Sequence, residues 1–472
     1  VMVQERTFHD SFDSSINADV DTRKYETTNL LEDTVVEKKT TSGLFGSTFN
    51  ISNAVLGGGI LSFPYAFAEA GLVGGITATI FLLLFAFGAL ITIVITSDYY
   101  AKDGANSYQS LVRSVYGLKV EMIMIISIAV YGFGGCVTFL VIIGDQLVPV
   151  VQYLGDADAW YADRKFIIFI SGLIFVFPLC LLKRISLLGY SSFLAIVMVY
   201  YFTCMLVAFA LKGTTDSNGE ETLSLLTDYS TIFSETTWWN VSAEFFQCAP
   251  IICFAFQCHL SSVPIYNELS NRTPKRMSIV CAAGLTNCLI LYTIAGAAGY
   301  WTFLCATESD VLVNYDTSNT WVIVCRVGMG LVAGFSYPIL NFVSRLACND
   351  FMVRIATAVG SPLEKSQAEE SNLRFYSITI LFFFSSLLIA MFVPNVNAVI
   401  SLIGSVFATL FIFGFPGCFL ITIAKFKENK LLYKGLGALY IIVGLVVGGV
   451  SLTISLYNDV EAVLGNAPTT AC

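Results

Sequence analysis

Residues 49–70 read FNISNAVLGGGILSFPYAFAEA, and the reading of this stretch decides the fold. It is long and apolar enough to cross a bilayer, yet Gly57, Gly58 and Gly59 sit at its middle and Pro64 follows. Each glycine weakens a helix by about 1 kcal/mol, and a proline removes a backbone donor. The helix is therefore expected to open there. Opened backbone at membrane depth persists only where protein or a water-filled cavity satisfies its N–H and C=O groups. Two readings follow: a buried polar site for a small solute and an ion, or a kinked span whose small residues admit a neighbouring helix.

The chain around this stretch is of one kind. Of its 472 residues, 56% are hydrophobic and 12% charged, with mean hydropathy +0.74. These values lie far outside the range of soluble domains and define an all-α polytopic membrane protein. Residues 1–42 differ, being polar and acidic, and are expected to form a disordered cytosolic tail. The thirteen cysteines form no CxxC pair and the histidines are only His9 and His259, which argues against zinc. The absence of a basic patch excludes nucleic acid as a partner. Nothing points to an enzyme or a cofactor, and protein partners stay open.

Apolar runs of about twenty residues number eleven: 45–69, 72–97, 120–144, 166–182, 188–211, 240–266, 278–304, 321–346, 375–393, 397–423 and 435–457. Charge tests the count independently. With the N-terminus cytosolic, the inner loops carry sixteen basic residues, from Lys102 and Arg113 to Lys430 and Lys434. The outer loops carry three, Arg164, Lys165 and Lys212. This is the positive-inside pattern, and ten or twelve spans would reverse the sign of later loops. The outer loops are acidic (Asp156, Asp158, Asp163; Asp216, Glu220, Glu221, Asp228, Glu235), either to attract cations or as ordinary solvated loops.

A second interruption falls in the sixth run, where Pro250, Gln257, His259, Ser261, Ser262 and Pro264 break the apolar pattern. Spans one and six stand five apart. Two interrupted spans in corresponding positions point to an inverted-repeat transporter with its site between them. The organisation expected is a tail (1–42), a first repeat of five spans (43–212), an acidic outer loop (213–239), a second repeat (240–424), and an eleventh span with an extracytosolic C-terminus (425–472).

An opened helix offers two kinds of ligand. The half-helix that begins at the break presents free N–H groups and a positive dipole end to a carboxylate, and the half that ends there presents carbonyls to Na⁺. A zwitterionic amino acid with a sodium ion is the natural cargo. Candidates to hold the substrate are Asn53, Gly57, Gly58 and Gly59, with Tyr131, Phe254 and Phe256 as gating aromatics; each aromatic could equally be packing. Sodium would take the carbonyls of Ser52 and Val55 and the Ser336 hydroxyl, unless Ser336 bonds back to its own helix. His259 is a proton relay or a hydrogen-bonded core residue. Glu69, Glu244 and Arg326 are intramembrane charges expected to reach the interface or to pair. With no acid at the centre, glutamine or asparagine is expected to be carried better than lysine. Alternatives are an amino-acid sensor signalling through its tail, and coupling to protons.

In the tail, Glu26, Leu30 and Leu31 fit the acidic-dileucine form ExxxLL, a clue to endosome or lysosome that also arises by chance. Asn240-Val-Ser is the outer sequon, set against the membrane, and little glycan is expected there.

The stretch Ser52-Asn-Ala-Val-Leu-Gly-Gly-Gly-Ile-Leu-Ser-Phe-Pro-Tyr-Ala resembles the first-span signature of the amino acid/auxin permease superfamily. Val130-Tyr-Gly-Phe-Gly, Ile143-Gly-Asp-Gln, Trp160-Tyr-Ala-Asp-Arg-Lys-Phe and Ile252-Cys-Phe-Ala-Phe-Gln-Cys-His-Leu-Ser-Ser-Val-Pro resemble the sodium-coupled neutral amino acid transporters within it. The likeness is nearest to the lysosomal branch associated with glutamine and asparagine, and it runs from about Gly43 to about Lys425. It implies eleven transmembrane helices in a five-plus-five inverted repeat of the leucine-transporter type, with helices one and six broken. It also implies a sodium site of the Ser52, Val55 and Ala333 carbonyls with the Ser336 hydroxyl. Tyr337 and Gly59 stand where that fold has further sodium ligands, so one sodium per cycle is implied. The loop between spans five and six lacks the cysteine expected of plasma-membrane relatives, and the C-terminal end lacks their pH-sensing histidine. Both departures favour an organelle membrane.

Overall fold

The computed structural model describes residues 42–100, 105–182, 189–240, 242–360 and 372–463. Among these the protein is all-helical, with isolated β-bridges only. Nine helices are long and apolar enough to span a membrane, or ten with one bent pair counted as a span. The bent pair is the first span, Leu44–Val55 followed by Gly58–Ala70 at 51°. The others are Leu72–Tyr100 (second), Leu118–Leu154 (third), Ser192–Lys212 (fifth), Ala243–Glu268 (sixth), Pro274–Ala306 (seventh), Thr320–Ala358 (eighth), Asn372–Ala390 (ninth), Val396–Phe426 (tenth) and Lys430–Asn458 (eleventh). The run expected at 166–182 appears as Arg164–Cys180, interrupted by a π turn at Gly172–Val176 and too short to join that count.

Helix ends follow the hydropathy closely except in the third and eighth spans, which continue well past their apolar runs. Both stay helical because they pack on each other over most of their length and are pinned together near both ends. At one end Arg354 of the eighth span donates to the buried Glu121 of the third at 2.7 Å, with Arg113 at 3.8 Å. At the other, Arg326 of the eighth donates to the Asp145 carbonyl of the third at 3.2 Å. Removing one partner of such a buried pair strands a charge and typically costs about 3–5 kcal/mol.

Contacts between spans fall into two groups. The first, second, sixth and seventh pack on one another, and the third, the Arg164–Cys180 segment, the eighth and the ninth form the other set. The fifth touches the seventh and the eighth, the tenth lies against the sixth and the third, and the eleventh packs on the tenth at the periphery.

The two broken spans are tied together at the end where the chain enters. Ser42 N–H donates to the Glu268 carbonyl at 2.8 Å, and Ser270 N–H donates to the Ser42 carbonyl at 2.9 Å. The opposite end is covered by two loops in register, with Ser217 N–H donating to Asn314 O at 2.8 Å. There Asn240 N–H donates to Ala70 O at 3.0 Å, and the Asn240 side chain donates to Glu69 O at 2.8 Å, closing the C-terminal end of the first span. With its amide engaged in that cap, the sequon asparagine is held against the protein.

Candidate functional site

The break in the first span is made by its own residues. Pro64 has no N–H for the Ile60 carbonyl, which instead takes the N–H of Phe63 in a tighter 3₁₀ turn over Gly58–Ser62. Upstream the α-helix stops at Val55, and Leu56 and Gly57 are extended. As first residues of a helical turn, Gly58 and Gly59 have amides with no intrahelical acceptor.

The three glycines differ in what surrounds them. A Cβ built on Gly57 meets no heavy atom within 4 Å. One on Gly58 runs into the tip of Ile142 in the third span at 2.6 Å, and one on Gly59 meets Ala255 of the sixth span at 3.1 Å, with its Cα at 3.3 Å. Gly59 is thus where the backbones of the two broken spans touch, which a side chain would prevent. Gly57 borders open space.

Carbonyls beside the break are approached by side chains of the seventh span. Tyr292, fully buried, donates its hydroxyl to Val55 O at 2.7 Å, and its oxygen faces the Gly57 amide. Cys288, one turn earlier, lies with its thiol 3.9 Å from Ser52 O, which also accepts the Leu56 N–H at 2.7 Å. The Tyr292 ring stacks on Phe63 at 4.4 Å and meets Phe256 edge-on at 5.3 Å. One side chain therefore touches both halves of the first span and the break of the sixth. Tyr292 was not among the sequence candidates, and a tyrosine within LILYTIAG gives no local signal that sets it apart.

In the sixth span the α-helix lapses over Phe256–Cys258 without a kink like that of the first. Its own backbone spans the gap: Phe256 N–H donates to Ile252 O at 3.0 Å, and Ser261 N–H to Cys258 O at 3.1 Å. His259, fully buried, sets Nε2 3.1 Å from Ala86 O of the second span and Nδ1 3.1 Å from the Gln257 side-chain oxygen, while Gln257 Nε2 has no partner among the described residues. A charged ring would donate to both oxygens. A neutral ring protonated on Nε2 serves as well if the Gln257 amide turns over.

Several sequence candidates converge. Phe254 lies 3.6 Å from a Cβ built on Gly59, and Tyr131 of the third span stands 6.1 Å, centroid to centroid, from Phe254. Phe256 joins Phe63 and Tyr292. Asn53 is directed elsewhere, its amide donating to Ser192 Oγ of the fifth span at 3.0 Å. On the eighth span Ala333 is buried and Ser336 half-buried. Among the described residues Ser336 makes no bond back to its helix, unlike Ser344. Tyr337 turns away, its hydroxyl 2.6 Å from Ser386 Oγ of the ninth span. Glu26, Leu30 and Leu31 lie outside the described residues.

Two expectations about intramembrane charge are corrected. Glu69 does not reach water but is buried, with Oε2 lacking a partner among the described residues. Arg326 pairs with neither Glu69 nor Glu244: it is buried and donates to backbone carbonyls of Asp145, Leu312 and Tyr315. Its guanidinium is committed to those carbonyls instead.

A polytopic helical protein with open backbone at mid-span beside gathered aromatics has the form of a membrane transporter. Residues 40–458 match the family model described as "Transmembrane amino acid transporter protein". The chain is 33% identical over 401 residues to sodium-coupled neutral amino acid transporter 7 of Homo sapiens, covering 84% of this chain and 82% of that protein. It is 31% identical over 428 residues to the transporter of the same name from Danio rerio, covering 88% and 87%. With solute carrier family 38 member 8 of Mus musculus it shares 29% over 419 residues, covering 87% and 93%. The chain belongs to the sodium-coupled neutral amino acid transporter family and is an amino acid transporter.

Proposed function

We propose that this protein is a secondary active transporter of neutral amino acids of the glutamine and asparagine kind, coupled to Na⁺ by alternating access. The observation that carries the reading is the opened backbone at Leu56–Gly57, where the Gly58 and Gly59 amides start a helical turn beside the open space at Gly57. The substrate carboxylate takes those amides, and the gathered Tyr131, Phe254 and Phe256 close over its aliphatic part. Sodium, as cargo, takes the carbonyls of Ser52, Val55 and Ala333 with the Ser336 hydroxyl. Each carbonyl has two lone pairs, so Tyr292 on Val55 leaves room for a cation. Asn53 contributes by holding the first half-helix to the fifth span.

Eleven spans in a five-plus-five repeat follow from counting Arg164–Cys180 as the fourth. The two contact groups supply the bodies that alternating access requires: spans one, two, six and seven rock against three, four, eight and nine. The sixteen-to-three bias of basic residues supports a cytosolic N-terminus. Cys305, at the C-terminal end of the seventh span, is disulfide-bonded, which supports an oxidising compartment on that side. The dileucine form in the tail favours a lysosomal or endosomal membrane.

The test is radiolabelled glutamine flux in proteoliposomes with an imposed Na⁺ gradient, against choline at the same pH. The reading expects sodium-driven accumulation and little flux of lysine. Equal flux in choline would transfer coupling to protons, where His259 is the relay candidate because both its ring nitrogens face oxygens. No flux, with capture of a soluble protein through residues 1–42, would establish a sensor instead.

A further inference from the structure

The loop after the seventh span folds a short turn, Val311–Asn314, against the 3₁₀ turn of the broken first span, with Val311 and Leu312 fully buried. It covers the opened backbone from the end opposite the chain's entry. What holds it there is a carboxyl. Asp310, 2% exposed, caps the turn by accepting the Leu312 N–H on Oδ1 at 3.0 Å. Its Oδ2 accepts from the side-chain amide of Gln146 in the third span.

No cation touches this carboxyl among the described residues. Arg326 of the eighth span stands near but gives its N–H groups to Leu312 O at 2.6 Å, Tyr315 O at 3.4 Å and Asp145 O at 3.2 Å. From the third span Asp145 faces Asp310 as a like charge, itself bound by Arg164 of the fourth at 3.0 Å. The Cys325 thiol approaches from the eighth, and the first-span turn Gly58–Ser62 presents no titratable side chain. A carboxylate without a contacting cation in such surroundings is costly. Gln146 is fully buried and its Oε1 has no partner among the described residues. An amide rotated by half a turn offers that oxygen to a protonated Asp310, so Gln146 serves either state.

We propose that Asp310 is a proton-binding site that latches the Val311–Asn314 turn over the opened first span: protonated when the turn is shut, ionised and hydrated when it lifts. Closing takes one proton from the solution on that side and opening returns it there, so the proton gates without crossing.

The sign follows from the carboxyl's surroundings in the two states. Burial first, then the Asp145 charge, push Asp310 up to about 7 in the shut form, against the lowering effects of Arg326, the Leu312 amide and Gln146. In water an aspartate ionises near about 4. The shut form therefore binds the proton more tightly. It is favoured by about tenfold per pH unit as pH falls from about 7 to about 4, and the preference is lost as pH rises through about 7.

The test is hydrogen exchange of the Val311–Asn314 amides in the full chain in lipid nanodiscs, corrected for intrinsic exchange chemistry, titrated between about pH 5.5 and about pH 7.5. Wild type is expected to be about twentyfold more protected at the acid end. Asp310→Asn, whose amide replaces the protonated carboxyl toward Gln146 and Leu312, is expected to be equally protected at both. Protection in the wild type that ignores pH overturns the proposal, as does a D310N protein that keeps the wild-type dependence. The wild-type titration decides even where the variant fails to fold. Neither measurement needs substrate or sodium, so failure of the transport reading and failure of the latch are told apart.

Discussion

The two interrupted spans are opened by different means and satisfied by different partners. The first loses its helix to three glycines and Pro64, bends by 51°, and has its Val55 carbonyl met by the Tyr292 hydroxyl of another span. The sixth lapses for three residues, runs on without a comparable kink, and bridges the gap with its own backbone, His259 propping it against the second span. A break satisfied internally is a fixed elbow. One held by a neighbour's hydroxyl can be let go and re-formed, which a binding site that responds to ligand requires. On the transport reading proposed above, the ligand-gripping falls to the first break and the shape of the pocket wall to the sixth.

Substitutions can break or sharpen that contrast. The largest effect is expected from Gly57→Leu: its side chain enters open space, so thermal stability holds while glutamine flux is lost. Flux that survives in G57L would move the substrate away from this break. Next is Tyr292→Phe, which keeps both ring contacts and removes the hydroxyl that donates to Val55 O and faces the Gly57 amide. A buried acceptor left unpaired costs about 1–3 kcal/mol, so flux should fall about tenfold at preserved expression, and unchanged flux would show that the tether is idle. Gly59→Ala must push the Ala255 backbone aside, a strain of about 1–3 kcal/mol. It should lower the melting temperature while Gly58→Ala, facing only the flexible tip of Ile142, lowers it less; the reverse order would contradict the contact described. The smallest effect is expected from His259→Gln, whose amide can still donate to Ala86 O. Flux within about twofold of wild type fits a fixed elbow with one hydrogen bond conserved. Loss of flux together with loss of its pH dependence would establish the relay.

Much of this was legible in the chain. Glycine, proline and hydropathy act over a few residues, so both breaks could be placed from FNISNAVLGGGILSFP and CAPIICFAFQCHLSSVP, and most helix ends from the apolar runs. The third and eighth spans outran their apolar stretches because they are stabilised by each other, a tertiary effect. Tyr292 and Asp310 were hidden for the same reason: their roles depend on which residues of distant spans face them. Arg326 did carry a signal. Polar groups inside apolar runs call for partners, though sequence could not show that Arg326's partners are backbone carbonyls. Glu69 misled in the other direction, since its nearness to the interface suggested water where the cover from Thr237 to Asn240 excludes it.

The most direct test of main chain as ligand is a cryo-electron microscopy structure of the protein with saturating glutamine and Na⁺. The substrate carboxylate is expected within about 3 Å of the Gly58 and Gly59 amide nitrogens, with the amino acid lying beside Gly57. Glutamine resolved elsewhere in the bundle, with those amides facing only protein, would contradict it.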